Sequence, residues 1–339
     1  MGVLAALLTL GACAPAAAPP KSAPSGYAPG ARTLLDAHNC YPYHGRWVNR
    51  IDRALATGAP LAIEQDLYWF TDPQSGESRS ILAHNEPFTG DEPGMKEYFF
   101  ERIRTVIEGA IASGDRSKWP LVTLNLDFKS DEPDHHQAVW DLLGEYEPWL
   151  TTAERGADPS VVMPLSVGPL LVLTGESAAQ RATFHDAVPI GGKLRLFGAV
   201  PTNRAESIAT EELRWKFQAT ASADELVRDK ADNYRRWWNN SWYTVEEGGA
   251  SRAGDWNERD QARLKSLVNF AHKNGLWIRF YTLNGHDPMD ESSGWSAGYN
   301  FGSPDAAKLR WNAAIATGVD FIATDQYEGF AAAALGRRP

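Results

Sequence analysis

The chain has 339 residues, 43% of them apolar, with 13 tryptophans and a formal charge of −10 at pH 7. That length and apolar share suffice for one large domain with a sizeable core, or for two small ones. The negative balance argues against nucleic-acid partners, which recruit basic surfaces, and is silent on a single phosphate held by a metal ion.

Val3 to Leu10 is an apolar run too short to span a bilayer. It ends in Leu10-Gly11-Ala12-Cys13, which looks like a bacterial lipobox, although no Lys or Arg precedes it. Residues 1–13 therefore read as a lipoprotein signal peptide, with Cys13 acylated as the new N-terminus. Residues 14–30, rich in Ala, Pro and Ser, read as a flexible tether. An ordinary signal peptide or a disordered tail is the alternative. The expectation is an exported protein of the bacterial cell envelope or periplasm, lipid-anchored to a membrane or secreted. Lipidation would leave Cys40 as the only other cysteine, so no internal disulfide forms. Nothing around Cys40 marks it as activated, and it reads as a small packed residue.

From Thr33 onward, strand-length apolar runs alternate with helix-period segments. Leu34-Leu35 leads into His38. Trp47 to Thr57 predicts a helix, with Val48, Ile51 and Leu55 at helical spacing and Gly58 closing it. Leu61 to Leu67 and Ser80 to Ala83 predict strands, and Tyr98 to Ala112 an amphipathic helix. Leu121 to Phe128 predicts a strand and His136 to Tyr146 a helix. Strands follow at Leu170 to Leu173 and Leu194 to Val200, then helices at Ala223 to Arg236 and Glu258 to Lys273. Leu276 to Leu283 and Val319 to Ala323 predict the last strands, separated by a helix over Asp305 to Ala316. This alternation implies an α/β fold, a TIM-type (β/α)8 barrel, possibly distorted, as a single catalytic domain over 31–335. No Gly-rich phosphate loop follows the first strand, which disfavours a doubly wound nucleotide fold. Trp237, Trp238 and Trp242 are either core packing or an aromatic rim for a lipid or sugar.

Short polar clusters end these strands, where barrels carry their chemistry: His38-Asn39, Glu64-Gln65-Asp66, His84 and Asp127-Phe128-Lys129. Alternation in Leu61 to Leu67 puts Ala62, Glu64 and Asp66 on one face. In Leu121 to Phe128 it gives Val122, Leu124, Leu126 and Phe128 to the outer helices and Thr123, Asn125, Asp127 and Lys129 to the interior. Such an inward polar face is costly unless its groups pair or bind an ion. Three carboxylates crowded on one end of the barrel repel one another without a cation. Two histidines beside three carboxylates are what metal-assisted cleavage of a phosphodiester requires.

The ordered set resembles the phospholipase C-like phosphodiesterase superfamily, which includes phosphatidylinositol-specific phospholipases C, glycerophosphodiester phosphodiesterases and sphingomyelinase D enzymes. The motifs are Ala37-His38-Asn39, Glu64-Gln65-Asp66, His84 and Asp127, with Lys129 placed as in sphingomyelinase D. Tyr281-Thr282-Leu283-Asn284 and Gly318 to Asp325 resemble the final strands of glycerophosphodiesterases. Residues 150–270 match loosely. Tyr41-Pro42-Tyr43-His44-Gly45 stands where true glycerophosphodiesterases have their own opening motif. The resemblance implies one Mg²⁺ or Ca²⁺ ion among Glu64, Asp66, Asp127 and Asn39, and a phospholipid or glycerophosphodiester substrate. It also implies general acid-base catalysis by the two histidines, with His38 assigned as base and His84 as acid and the reverse assignment left open.

Lys129 is expected to contact the phosphate or to hold Asp127. Arg279, with Trp277 and Tyr281 on its strand face, is expected either as a phosphate clamp or as an ion pair to a ligating carboxylate. Asp325, at the last strand end, is expected to hydrogen-bond the substrate or His84. His44 follows His38 in its loop, and His135 and His136 are expected exposed at the start of a helix. Two other classes compete. A barrel glycoside hydrolase would use paired carboxylates on different strands without metal. A non-catalytic surface lipoprotein would bind a ligand, but intact His38 and His84 count against it.

Overall fold

The computed structural model describes residues 25–43, 45–287 and 296–336. The expected signal peptide with Cys13, the tether up to residue 24, and His44 lie outside the described residues.

Strand β1 (Leu34–Ala37) is followed by helix α1 (Arg50–Ala56) and β2 (Leu61–Thr71), which turns back antiparallel as β3 (Ser78–Leu82). Then come α2 (Glu101–Ala112), β4 (Val122–Phe128) and α3 (Pro133–Glu145). Short strands β5 (Thr152–Glu154) and β6 (Leu165–Ser166) precede β7 (Leu170–Thr174), α4 (Ala178–Arg181), β8 (Lys193–Leu194) and β9 (Phe197–Ala199). The chain continues through α5 (Glu211–Thr220), α6 (Ala223–Leu226), β10 (Arg235–Ser241), α7 (Glu258–Lys273) and β11 (Trp277–Tyr281). It ends in α8 (Pro304–Thr317), β12 (Phe321–Thr324) and α9 (Tyr327–Ala334).

Nine strands make one sheet in the order β1-β12-β11-β10-β9-β7-β4-β2-β3, and β1 also pairs with β2. Setting β3 aside, the remaining parallel strands close on themselves as the expected (β/α)8 barrel. Its distortion lies between β7 and β9, where α4 is a single turn of 4 residues running into a π-helical turn. Strands β6, β5 and β8 form a separate antiparallel patch. Among the described residues no helix is long and apolar enough to cross a membrane.

The barrel is built by strict alternation. Leu34, Ala62, Leu171, Trp237, Trp277 and Phe321 pack together inside it. Their next neighbours Leu35, Ile63, Val172, Trp238, Ile278 and Ile322 pack outward against the helices. Two positions further along the same strands, the inward residues become Asp36, Glu64, Asn239 and Arg279. The barrel is thus apolar at the N-terminal ends of its strands and polar towards the C-terminal mouth. Trp237, Trp238 and Trp242 are each no more than 1% exposed, so the packing reading holds and the aromatic-rim reading fails.

Local signals set the helix ends. Ser303 caps α8 by accepting from the Ala306 N–H, Pro304 opens it, and Gly318 ends it at φ +83°, a left-handed conformation that favours glycine. Asn257 and Asp260 form a capping box on α7. The helix predicted over Ala223 to Arg236 is wrong: α6 stops at Leu226, Val227 is extended, and Arg235–Ser241 is a barrel strand. The alternation of inward Trp237 with outward Trp238 overrides the helical period read from the polar stretch before it. Helix α5 was not read from the sequence.

His135 and His136, expected exposed, are both 0% exposed. The β2–β3 hairpin covers His135, while His136 packs between Phe128 and Phe184 and hydrogen-bonds Asp131. His135 stacks on Trp69 and hydrogen-bonds Ser80 Oγ at 2.9 Å and Ser130 Oγ at 3.0 Å. Burial, with His136 beside it, pulls His135 from 6.5 down to about 4. Because the folded value lies below the unfolded one, the stabilisation is complete above pH 6.5 and is lost as pH falls towards 4. The full effect is at most about 3 kcal/mol. Denaturation curves should therefore weaken from pH 7 to pH 5 more steeply for the native sequence than for His135→Gln. Parallel pH dependences would refute this.

Residues 25–30, expected as the end of the tether, instead dock on the apolar end of the barrel. Tyr27 is 4% exposed. Its carbonyl accepts from Trp277 Nε1 at 2.9 Å, and the Gly30 N–H donates to Asp320 Oδ1 at 2.7 Å. A chain starting at residue 31 loses the Tyr27 side chain and leaves a buried tryptophan donor unpaired. The expected cost is about 3–5 kcal/mol, a fall of roughly 5–15 °C in Tm relative to a chain starting at residue 25. Equal melting curves for the two chains would show that the segment only rests on the surface.

Candidate active site

Strands β1, β2, β4 and β11 deliver their last inward residues to one cavity of about 630 Å³ at the C-terminal mouth. His38, Asn39, Glu64, His84, Asp127 and Lys129 line it, with Arg279 and Tyr281 on another part of the wall. In the β2–β4 register Asp66 lies directly beside Asp127. One oxygen from each of Glu64, Asp66 and Asp127 falls within 4.8 Å of the others.

Glu64 and Asp66 share a strand but are charged differently. Burial pushes Glu64 up, yet Arg279 and His38 outweigh it, and the carboxyl is held below its usual range. Arg279 Nη2 donates to Glu64 Oε1 at 2.9 Å, its Nε pairs with Asp36, and its Nη1 reaches Asn239 Oδ1 at 3.0 Å. These contacts are ion pairs of Arg279 to Glu64 and Asp36. Burial, and Asp127 next to it, push Asp66 up to about 8. Asp66 Oδ2 accepts from the Tyr41 hydroxyl at 2.9 Å and pairs with Lys129 Nζ at 3.1 Å, while its buried Oδ1 has no partner among the described residues. Lys129 Nζ also lies 2.6 Å from Asp127 Oδ2, the holding role expected for it. Asn39 carries φ +45° and donates its N–H to Glu64 Oε2 at 3.2 Å.

The two histidines flank this group. His38 Nε2 is 3.7 Å from Glu64 Oε2, and His84 Nε2 is 3.9 Å from Asp66 Oδ2. Burial lowers the His38 value, but Asp325 and Glu64 outweigh it and raise the net result. His84, with its side chain 48% exposed, is pulled down by partial burial and by Lys129. Asp325 requires correction: it meets neither His84 nor the cavity. It lies beneath His38, with Oδ1 at 3.2 Å from His38 Nδ1 and Oδ2 accepting from Asn284 Nδ2 at 2.6 Å. Strands β1 and β12 end side by side, Ala37 beside Thr324, so the acid after β12 meets the histidine after β1 from behind. Although burial opposes ionisation, His38 and Arg50 hold the Asp325 carboxyl at about 2.

Asp36, Tyr41 and Arg50 escaped the sequence reading. Asp36 could have been found, because it alternates with Leu34 and so faces inward; Tyr41 and Arg50 lie in a loop and at a helix start with no pattern to mark them. Cys40 is fully buried, and burial pushes its thiol up to about 12, in keeping with a packed residue.

The fold and site together define a (β/α)8 barrel with three carboxylates and two imidazoles at its mouth. No family model and no curated protein matches the chain. A solved glycerophosphoryl diester phosphodiesterase from Parabacteroides distasonis is 13% identical over 91% of this chain and 87% of its own, at a TM-score of 0.41. A calcium-dependent phosphoinositol-specific phospholipase C from a Pseudomonas species is 14% identical over 88% and 90%, at 0.45. The HPPK-DHPS of Plasmodium falciparum is 8% identical over 91% of this chain and 49% of its own, at 0.40. Likeness this slight bears on neither fold nor chemistry, and the barrel stands on its own strand order.

Proposed function

We propose that the chain is a metal-dependent phosphoric diester hydrolase, phospholipase C-like, acting on a phospholipid or glycerophosphodiester. The observation that carries this reading is the pair of imidazoles from separate segments, each within 4 Å of a different member of one carboxylate triad. The residues present fit a hard divalent cation, Mg²⁺ or Ca²⁺. All the donors are oxygens, Asp66 and Asp127 stand side by side, and among the described residues the buried Asp66 Oδ1 has no partner. Glu64, Asp66, Asp127 and Asn39 would hold the ion. When bound, such an ion polarises a phosphoryl oxygen and offsets the charge that develops there.

The chain's own groups do the remainder. Asp325 keeps the proton on His38 Nδ1, so Nε2 takes a proton from the attacking oxygen. The raised value of His38 makes it a stronger base, and the lowered value of His84 makes its imidazolium a stronger acid towards the leaving oxygen. Arg279 holds Glu64 as an anion, and Lys129 pairs with Asp127. If a hydroxyl sits beside the ester, it is the attacking group and a cyclic phosphate forms.

Residues 25–339 should be assayed on an activated phosphodiester, glycerophosphodiesters, phosphatidylinositol and sphingomyelin, with and without chelator. Turnover of one of these that chelator abolishes and Mg²⁺ or Ca²⁺ restores is the expected result. Turnover indifferent to chelator removes the metal, and inactivity on the whole panel removes the reading.

A further inference from the structure

Arg50 opens α1, at neither a strand end nor the cavity wall, and is 3% exposed. Its Nη1 lies 2.8 Å from Asp325 Oδ1, 2.9 Å from the His38 carbonyl oxygen and 3.3 Å from that of Asn39. It is also 3.2 Å from the Tyr327 hydroxyl, which itself donates to the His38 carbonyl at 2.8 Å. These oxygens belong to the ends of β1 and β12, which pair in parallel with Ala37 beside Thr324. One nitrogen therefore pins the place where the first and last strands meet.

Two features there need holding. Asn39 is a non-glycine residue at φ +45°, a conformation that persists where its surroundings enforce it. Its carbonyl is held by Arg50 and its N–H by Glu64. The His38 ring is oriented through Nδ1 by the same Asp325 oxygen that Arg50 engages. An ion pair serving stability alone would engage Asp325 and leave the two carbonyls to other donors.

We propose that Arg50 is a positioning residue: it fixes the His38 imidazole and the Asn39 turn through Asp325 and the two main-chain carbonyls, without meeting substrate. This rests on the assignment of His38 as a proton-transfer group. Lysine does not replace it, because its stem is shorter and its ammonium does not reach the Nη1 position.

The test joins NMR of the imidazole to kinetics. The His38 Nδ1–H should give a downfield proton resonance, assigned by its loss in His38→Gln. Arg50→Met and Arg50→Lys should shift or abolish it. They should lower kcat roughly 10–100-fold with KM changed less than about twofold. Arg50→Lys keeps a positive charge against Asp325 and serves where the methionine variant fails to fold. On a His38→Ala background, Arg50→Lys should cost less than it does on the native one. A resonance unchanged in the folded variants overturns the proposal, as does a kcat loss that adds in full to that of His38→Ala. A shifted resonance in a protein inactive on every phosphodiester supports the positioning role and overturns the functional reading instead.

Discussion

His38→Ala is expected to lower kcat/KM on the responsive phosphodiester by roughly 10²–10⁴-fold, with little change in Tm. The imidazole is 7% exposed, and its two nitrogens face different partners: Nδ1 meets Asp325 and Nε2 meets the carboxylate triad. This division makes Asp325→Asn nearly as harmful. With Arg50 Nη1 donating to the Oδ1 position, the amide oxygen of the variant stays towards Nδ1, and what is lost is the negative charge that stabilises the imidazolium formed when Nε2 takes the substrate's proton. Asp325→Asn should therefore fall within about tenfold of His38→Ala, and the double variant should be no worse than the worse single one, because the two act as one unit. Steady-state kinetics on the purified variants decides it. A His38→Ala enzyme keeping more than a tenth of its activity, or a fully active Asp325→Asn, would overturn the assignment.

The part of this site legible in the sequence was the part governed by period two. Alternation alone turned Glu64, Asp66 and Asp127 inward, and the structure brings them within one ion's reach. Asp36 obeyed the same rule but lay in a strand of only 4 residues, with no ladder of polar neighbours to draw attention to it. Asp325 was placed on the correct strand end and given the wrong partner. Alternation fixes a face, whereas partner choice depends on which strands are neighbours in the closed barrel, and β12 lies beside β1. Arg50 was invisible for a different reason: its contacts join residues 275 positions apart, and no local pattern encodes such a meeting. The same limit explains His135. A helix start with two histidines reads as solvated until a hairpin from an earlier strand is laid across it. The failed helix at Ala223 to Arg236 shows the converse, since a polar run compatible with a helix gave way to the strand that closed the barrel.

The glycoside hydrolase alternative needs a protonated carboxylic acid opposite a separate carboxylate. Glu64 is held as an anion by Arg279, and Asp127 is paired with Lys129. The acid pushed upward, Asp66, sits beside Asp127 in the register of adjacent strands and points at a lysine. That arrangement suits a cation better than a sugar ring held between two acids.

Arg279→Met is expected to be the most destabilising single change at the mouth. The guanidinium is 2% exposed and lies between Asp36 and Glu64, themselves 1% and 4% exposed. Removing it strands two buried carboxylates in each other's field, at a cost of about 3–5 kcal/mol. Asp36 is already pushed up by burial, with Arg279 as the main opposing influence, and its second oxygen has no partner among the described residues. Without the arginine both acids titrate upward, so their folded values lie above their unfolded ones. The stability deficit is then full at neutral pH and shrinks as pH falls through those raised values, a sign opposite to that expected for His135. Adding Asp36→Asn to Arg279→Met removes one of the two uncompensated charges and should recover part of the loss, since deleting both members of a buried pair costs less than deleting one. Urea denaturation at pH 7 and pH 5 on the three proteins measures all of this. A deficit for Arg279→Met that stays constant between the two pH values, or a double variant less stable than the single one, would mean that the arginine supports the barrel by packing and not by charge.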